Sequence, residues 1–120
     1  MPRFAVLEHD HPARHWDLLL EHDGVLLAWR LAALPALGAD VDAESSFDHR
    51  LLYLDYEGPV GGGRGSVTRW DGGTFDWLEC TPDRAEVRLA GGRVRGLLRL
   101  ERRDGSAWEC RLTAGPPAGA

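Results

Sequence analysis

Four of the five histidines lie between residues 9 and 22, three of them inside the run from Glu8 to Asp17. His15 and Asp17 are two apart, so on a strand their side chains leave the same face, and His9 can reach back to them across the preceding turn. Two imidazoles and one carboxylate could then meet at one point, with coordination positions left for water and substrate, as a catalytic divalent-metal site requires. Spacing alone equally admits surface or hydrogen-bonded histidines at a strand end.

Positioning such a trio is a task for strands, and strand signals dominate the chain. Asp23-Gly24, Asp71-Gly72-Gly73, Gly91-Gly92 and Asp104-Gly105 each separate apolar or alternating runs and read as four tight hairpin turns. Alternation is clearest late in the chain, where Ala85, Val87 and Leu89, then Leu98 and Leu100, then Trp108, Cys110 and Leu112 share their strands with charged neighbours. Further strands are expected near residues 3–8, 15–22, 25–31, 50–55, 65–70 and 74–79. The fold class is therefore mostly β: a small antiparallel β-barrel of about eight strands with one or two short helical turns. Residues 32–48 read as the longest connection, residues 1–114 as one domain and residues 115–120 as a flexible tail.

At 120 residues, 43% apolar and 28% charged, the chain has the size and composition of one globular domain. Its apolar runs are far shorter than the roughly 20 residues of a membrane span, which excludes a helical membrane protein. Patterned sequence begins at the N-terminus with no apolar secretory stretch, so a cytoplasmic location is expected. Cys80 and Cys110 are too few for a metal finger and read as buried thiols. Net charge is −5, with 4 Arg against 11 acidic residues in the first 60 positions and 10 Arg against 8 in the second 60. An acidic total argues against bulk nucleic-acid binding but is compatible with an enzyme that engages one phosphate at a time.

Two blocks make the sequence resemble a known family. The first is H-x5-H-x-D-x3-E followed by a D-G turn and a Trp-bearing strand: His9, His15, Asp17, Glu21, Asp23-Gly24 and Trp29. The second runs Asp48-His49, Tyr53, Asp55-Tyr56-Glu57-Gly58, a Gly-rich loop, then Val67, Trp70-Asp71, Gly73-Thr74. In this order they resemble the 3′-phosphoesterase domain of bacterial DNA ligase D over about residues 3–112. The resemblance implies a small β-barrel and metal-dependent removal of 3′-terminal ribonucleosides and 3′-phosphates in DNA repair. Manganese is the implied cofactor, with zinc or iron as alternatives, and a repair polymerase or ligase an implied partner. It also implies His9, His15 and Asp17 as metal ligands, and His49 and Tyr53 as the residues contacting the scissile phosphate.

The chain departs from the family pattern where the phosphate is held. Leu19 stands where the family carries an Arg, the loop from Gly61 to Gly65 is shorter and lacks a Tyr, and Leu31-Ala32-Ala33-Leu34 replaces a Lys-bearing V-P-K-G. No counterpart of the Arg-Asp arm ahead of the family's first strand is expected, with Met1 three residues before Phe4. Arg14, Arg30 and Arg64 are the candidate replacements for the missing guanidinium. Arg30 is favoured: a two-residue hairpin at Asp23-Gly24 pairs Leu19 with Ala28 and Asp17 with Arg30, so its guanidinium could enter the space above Leu19. Without a following Gly-Lys-Ser/Thr, Gly61 to Gly65 is no nucleotide P-loop. Arg84, Arg88, Arg93, Arg95, Arg99, Arg102 and Arg103 read as a solvated, acid-interleaved face in preference to a DNA track. Trp16, between two expected ligands, must face away from the metal and serves as packing or, less directly, as a base-stacking ring. His11 and His22 read as surface residues, with His11 also within reach of a ligand.

Three functions compete. The first is the phosphoesterase. The second is a non-haem iron oxygenase, since His15, Asp17 and His49 spell a two-histidine, one-carboxylate triad in a β-barrel. The third is a catalytically impaired module that kept the barrel and binds a partner in a repair assembly.

Overall fold

Alternating apolar strands pair antiparallel to give almost all of the regular structure. The computed structural model describes residues 1–114 and contains nine strands: β1 (Arg3–His9), β2 (His15–His22), β3 (Val25–Leu31), β4 (Asp40–His49), β5 (Gly58–Pro59), β6 (Ser66–Thr81), β7 (Arg84–Gly91), β8 (Arg95–Asp104) and β9 (Ala107–Thr113). A 3-10 turn, Leu51–Leu54, follows β4. The strand order is β1-β2-β3-β4-β9-β8-β7-β6-β5, and an additional β1–β6 pairing closes the sheet into a ring. Eight strands make that ring, and the two-residue β5 is appended to β6. Closure pairs the backbone groups that an open sheet would leave at its edges.

One face of each ring strand fills the interior. Phe4, Val6, Leu18, Leu20, Trp29, Leu31, Phe75, Val87, Leu98 and Trp108 meet there. The outer face of β1, β2 and β3 is also apolar: Ala5, Leu7, Leu19, Leu26 and Ala28 form a second cluster, covered by Leu54 with Tyr53, Tyr56 and Val60 packed beside it. Strands buried on both faces carry continuous apolar runs, which accounts for Leu18-Leu19-Leu20. Asp23 (φ 50°) and Gly24 (φ 80°) form the expected tight turn. The hairpin they close pairs Leu19 with Ala28 and Asp17 with Arg30.

Several sequence expectations need correction. Residues 32–48 are not one connection, because β4 occupies Asp40–His49 and pairs with both β3 and β9. Residues 50–55 are not a strand; their Leu-Leu-Tyr-Leu core curls into the 3-10 turn, which lays Leu54 on the second cluster. Asp71-Gly72-Gly73 is not a hairpin turn but the middle of the 16-residue β6. Asp71 is buried and spends its carboxylate elsewhere: Oδ1 accepts from Gly92 N at 3.0 Å, and Oδ2 from Arg93 N at 2.9 Å and Val94 N at 2.7 Å. It therefore pins the β7–β8 turn from the neighbouring strand. The hairpin joining β6 to β7 instead turns through Pro82-Asp83, where Thr81 Oγ1 accepts from Asp83 N. Cys110 is buried, and burial pushes its thiol up to about 12, but Cys80 is exposed. The expected flexible tail, residues 115–120, lies outside the described residues. No helix among the described residues is long and apolar enough to cross a membrane.

Candidate functional site

Strand pairing between β1 and β2 sets His9 opposite His15 and Leu7 opposite Asp17. All three polar side chains leave the outer face, just beyond the second apolar cluster, and one ligand atom from each lies within 4.8 Å of the others. Backbone carbonyls select the tautomers. A carbonyl only accepts, so His9 Nε2, 2.7 Å from the Arg64 oxygen, and His15 Nδ1, 2.9 Å from the Ala13 oxygen, carry the protons. The remaining nitrogens face one carboxylate: His9 Nδ1 stands 3.5 Å from Asp17 Oδ2 and His15 Nε2 stands 3.1 Å from Asp17 Oδ1. His15 Nε2 is buried and has no hydrogen-bond partner. Three converging acceptors repel one another unless a proton on each imidazole or a shared cation lies among them. Two imidazoles and a carboxylate form a donor set that fits manganese, iron or zinc.

The Gly-rich loop holds this arrangement. Ser66 N donates to Asp10 Oδ1 at 2.8 Å, and Val60 N donates to the Gly65 oxygen at 2.7 Å. Gly65 has φ 75°, and a Cβ there would overlap the Asp10 carboxylate. Only glycine lets the loop pack against the turn after β1 and bring the Arg64 carbonyl to His9. Arg64 Nε donates to the Gly61 oxygen at 2.7 Å, so part of its guanidinium is spent inside the loop.

Beside the trio opens a pocket of about 600 Å³, lined by Asp17, Arg30, Phe47, His49, Tyr53 and Arg64 among others. His49 reaches it through a β-bulge. In regular pairing from Ala28↔Ser46, Asp48 would face Leu26; an extra residue on β4 puts His49 there instead. His49 Nδ1 donates to the Phe47 oxygen at 2.9 Å, which leaves Nε2 free to act on a ligand. The imidazole stacks on Phe47, and Tyr53 meets it edge-on with ring centroids 5.7 Å apart. Two contacts fix the turn that carries Tyr53. Arg69 Nε donates to the Leu54 oxygen at 2.9 Å, and Arg3 grips both carboxylate oxygens of Asp55 at 3.1 and 2.6 Å. Hydrogen bonding to Arg3 holds the Asp55 carboxyl below its ordinary range, and the same bond raises Arg3.

Comparison with known proteins follows the same residues. Residues 7–102 match the family described as the DNA Ligase D 3′-phosphoesterase domain. The chain belongs to that family. It is 34% identical over 114 residues to the multifunctional non-homologous end joining protein LigD of Mycobacterium bovis and to the DNA repair protein LigD of Mycobacterium tuberculosis, covering 88% of this chain and 15% of each relative. Identity to the LigD of Mycolicibacterium smegmatis is 29% over 125 residues, covering 88% of this chain and 16% of that protein. The chain thus spans about 15% of the length of the first two relatives.

Not every candidate of this phosphoesterase-family domain reaches the pocket. Arg30 does, opposite Asp17 on the strand face that also carries His15. Arg14 does not line it: its Nε pairs with Glu8 at 2.6 Å and its guanidinium lies over Trp16. Leu19 is fully buried in the second cluster, so no open space lies above it for a guanidinium to enter. Trp16 faces the main core. His11 lines the pocket, whereas His22 sits edge-on to Trp77, outside the pocket lining. Among the described residues, His49 does not join His15 and Asp17 in a metal-holding cluster, so the oxygenase triad is not assembled. In the arginine stripe, Arg84 and Arg99 pair with Glu86, Arg102 with Asp83, and Arg103 with Glu109. The residues that sequence reasoning missed are Phe47 and Arg50 at the pocket and the Arg64 carbonyl.

Proposed function

We propose that this domain is a metal-dependent 3′-phosphoesterase that trims 3′-terminal ribonucleosides or 3′-phosphates from nucleic-acid ends in DNA repair. The observation that carries the reading is the convergence of His9, His15 and Asp17 lone pairs beside an arginine-lined pocket, in a chain of this family. Those three residues would hold a divalent ion, manganese by family resemblance. Such an ion supplies Lewis acidity and lowers the pKa of a water that it carries.

The chain's own groups do the rest. Arg30 and the free end of the Arg64 guanidinium supply positive charge to the phosphate oxygens, where charge builds as the phosphorus–oxygen bond breaks. His49, with Nδ1–H fixed on the Phe47 carbonyl, presents Nε2 to the phosphate. As water adds to phosphorus, the doubly protonated form of His49 hands the Nε2 proton to the departing oxygen: the 3′ oxygen of a 3′-phosphate, leaving a 3′-hydroxyl, or the 5′ oxygen of a terminal ribonucleoside, leaving a 3′-phosphate for a second hydrolysis. Tyr53 braces the imidazole edge-on. A DNA ligase or polymerase acting on the repaired 3′-hydroxyl is the partner class this product suits.

The test is incubation of the purified protein with manganese and oligonucleotides ending in a 3′-phosphate or a single 3′-ribonucleotide. Release of phosphate or nucleoside that requires added metal supports the reading. Tight end binding without release would favour a partner-binding module, the reading encouraged by Leu19 standing where the family carries an Arg.

A further inference from the structure

Phe47 is a large apolar side chain left 68% exposed at the pocket that also carries Arg30, His49 and Arg64. Its ring lies almost parallel to the His49 imidazole, with centroids 4.8 Å apart and planes 6° from coincidence. From there an aromatic run continues inward, His49 to Tyr53 at 5.7 Å and Tyr53 to Tyr56 at 5.5 Å. Phe47 is the outer end of this run. One ring face is covered by His49, and the ring's high exposure leaves apolar surface open to a ligand in the pocket.

We propose that Phe47 is a nucleobase platform, on which the base of the 3′-terminal nucleotide stacks while its phosphate sits at His49. This deepens the phosphoesterase reading and rests on it. Three features select a nucleobase over another flat ligand. The platform adjoins the residue assigned to the phosphate, so one nucleotide can span both. Arg30, Arg50 and Arg64 outnumber Asp17 and Asp48 among the charged residues lining the pocket, which complements an anionic strand. A phenyl face accepts any base without hydrogen-bond readout, as an end-processing site requires. Trp16, the ring that sequence offered for this role, is packed against the main core.

Base stacking is typically worth about 1–3 kcal/mol per base on alanine substitution, so roughly a tenfold weakening is the scale to look for. The experiment compares a 3′-phosphorylated oligonucleotide with the same strand carrying an abasic terminal nucleotide, measuring both equilibrium binding and phosphate release with manganese. Wild type should bind the base-bearing strand about tenfold more tightly. Phe47→Ala should lose that preference, weakening the base-bearing strand about tenfold more than the abasic one, and Phe47→Trp should restore it. Equal weakening on both strands, or a kcat loss shared by both with no change in binding preference, would mean that the ring serves His49 alone and overturns the proposal. The two readings fail separately. A base preference lost in Phe47→Ala without any phosphate release sinks only the phosphoesterase, whereas phosphate release with equal binding of both strands sinks only the platform.

Discussion

His9 Nε2 donates to the main-chain carbonyl of Arg64 at 2.7 Å, a contact that spans 55 residues of sequence. It ties the Gly-rich loop to the end of β1 and turns the Nδ1 lone pair of His9 toward Asp17. Groups that orient a ligating imidazole in this way commonly change metal affinity by about 10–100-fold when removed. Gly65→Ala, which sets a Cβ against Asp10 at a positive φ, should therefore weaken manganese binding by about tenfold or more in a calorimetric titration. Arg64→Ala keeps the carbonyl and should leave that affinity within about twofold.

Arg30 and Leu19 make opposite predictions. Arg30 lines the pocket opposite Asp17. Arg30→Ala should cut phosphate release by about a hundredfold, the scale of one lost charge-assisted contact in the transition state, with little change in Tm. Leu19 is fully buried among Ala5, Leu7, Leu26 and Ala28. Leu19→Arg should destabilise the fold by about 3 kcal/mol or more through an unpaired buried charge, read as a drop in Tm, and should not raise activity.

Asp71 should govern acid stability. Burial alone would raise its carboxyl, but the backbone N–H groups of Val94, Arg93, Gly72 and Gly92 outweigh that and hold it below the ordinary 3.8. A carboxyl lowered by folding stabilises the fold fully above its unfolded value, and that contribution is lost as pH falls through the folded one. Asp71→Asn should cost about 1–3 kcal/mol at pH 7, measured by urea unfolding. The gap between variant and wild type should hold down to about pH 5 and narrow below pH 3.8.

Much of this architecture was legible in the residues, for identifiable reasons. A two-residue Asp-Gly turn dictates its strand register, so the Asp17–Arg30 pairing followed from sequence. Strict alternation exposed β7, β8 and β9, and strand parity brought His15 and Asp17 to one face. Legibility ended where long-range contacts override local signals. Asp71-Gly72-Gly73 has turn composition, yet its carboxylate caps a turn on the neighbouring strand pair. Leu51–Leu54 has strand composition, yet an uncovered apolar face of β1, β2 and β3 draws it into a 3-10 turn. The bulge in β4 shifts parity by one residue, so no period-2 reading could place Phe47 and His49. A main-chain carbonyl such as that of Arg64 carries no side-chain signature at all.

The proposal that His9, His15 and Asp17 hold a metal is tested most directly by a manganese titration of wild type against His15→Ala. His15 is buried, with Nδ1 fixed on the Ala13 carbonyl and Nε2 unpartnered toward Asp17. Removing one of the three proposed ligands should therefore weaken binding more than loss of an orienting group does. Wild type should take up about one manganese ion per chain, and His15→Ala, folded by circular dichroism, should bind it at least a hundredfold more weakly. Equal manganese uptake by the two folded proteins would contradict the assignment of His9, His15 and Asp17 as a metal centre.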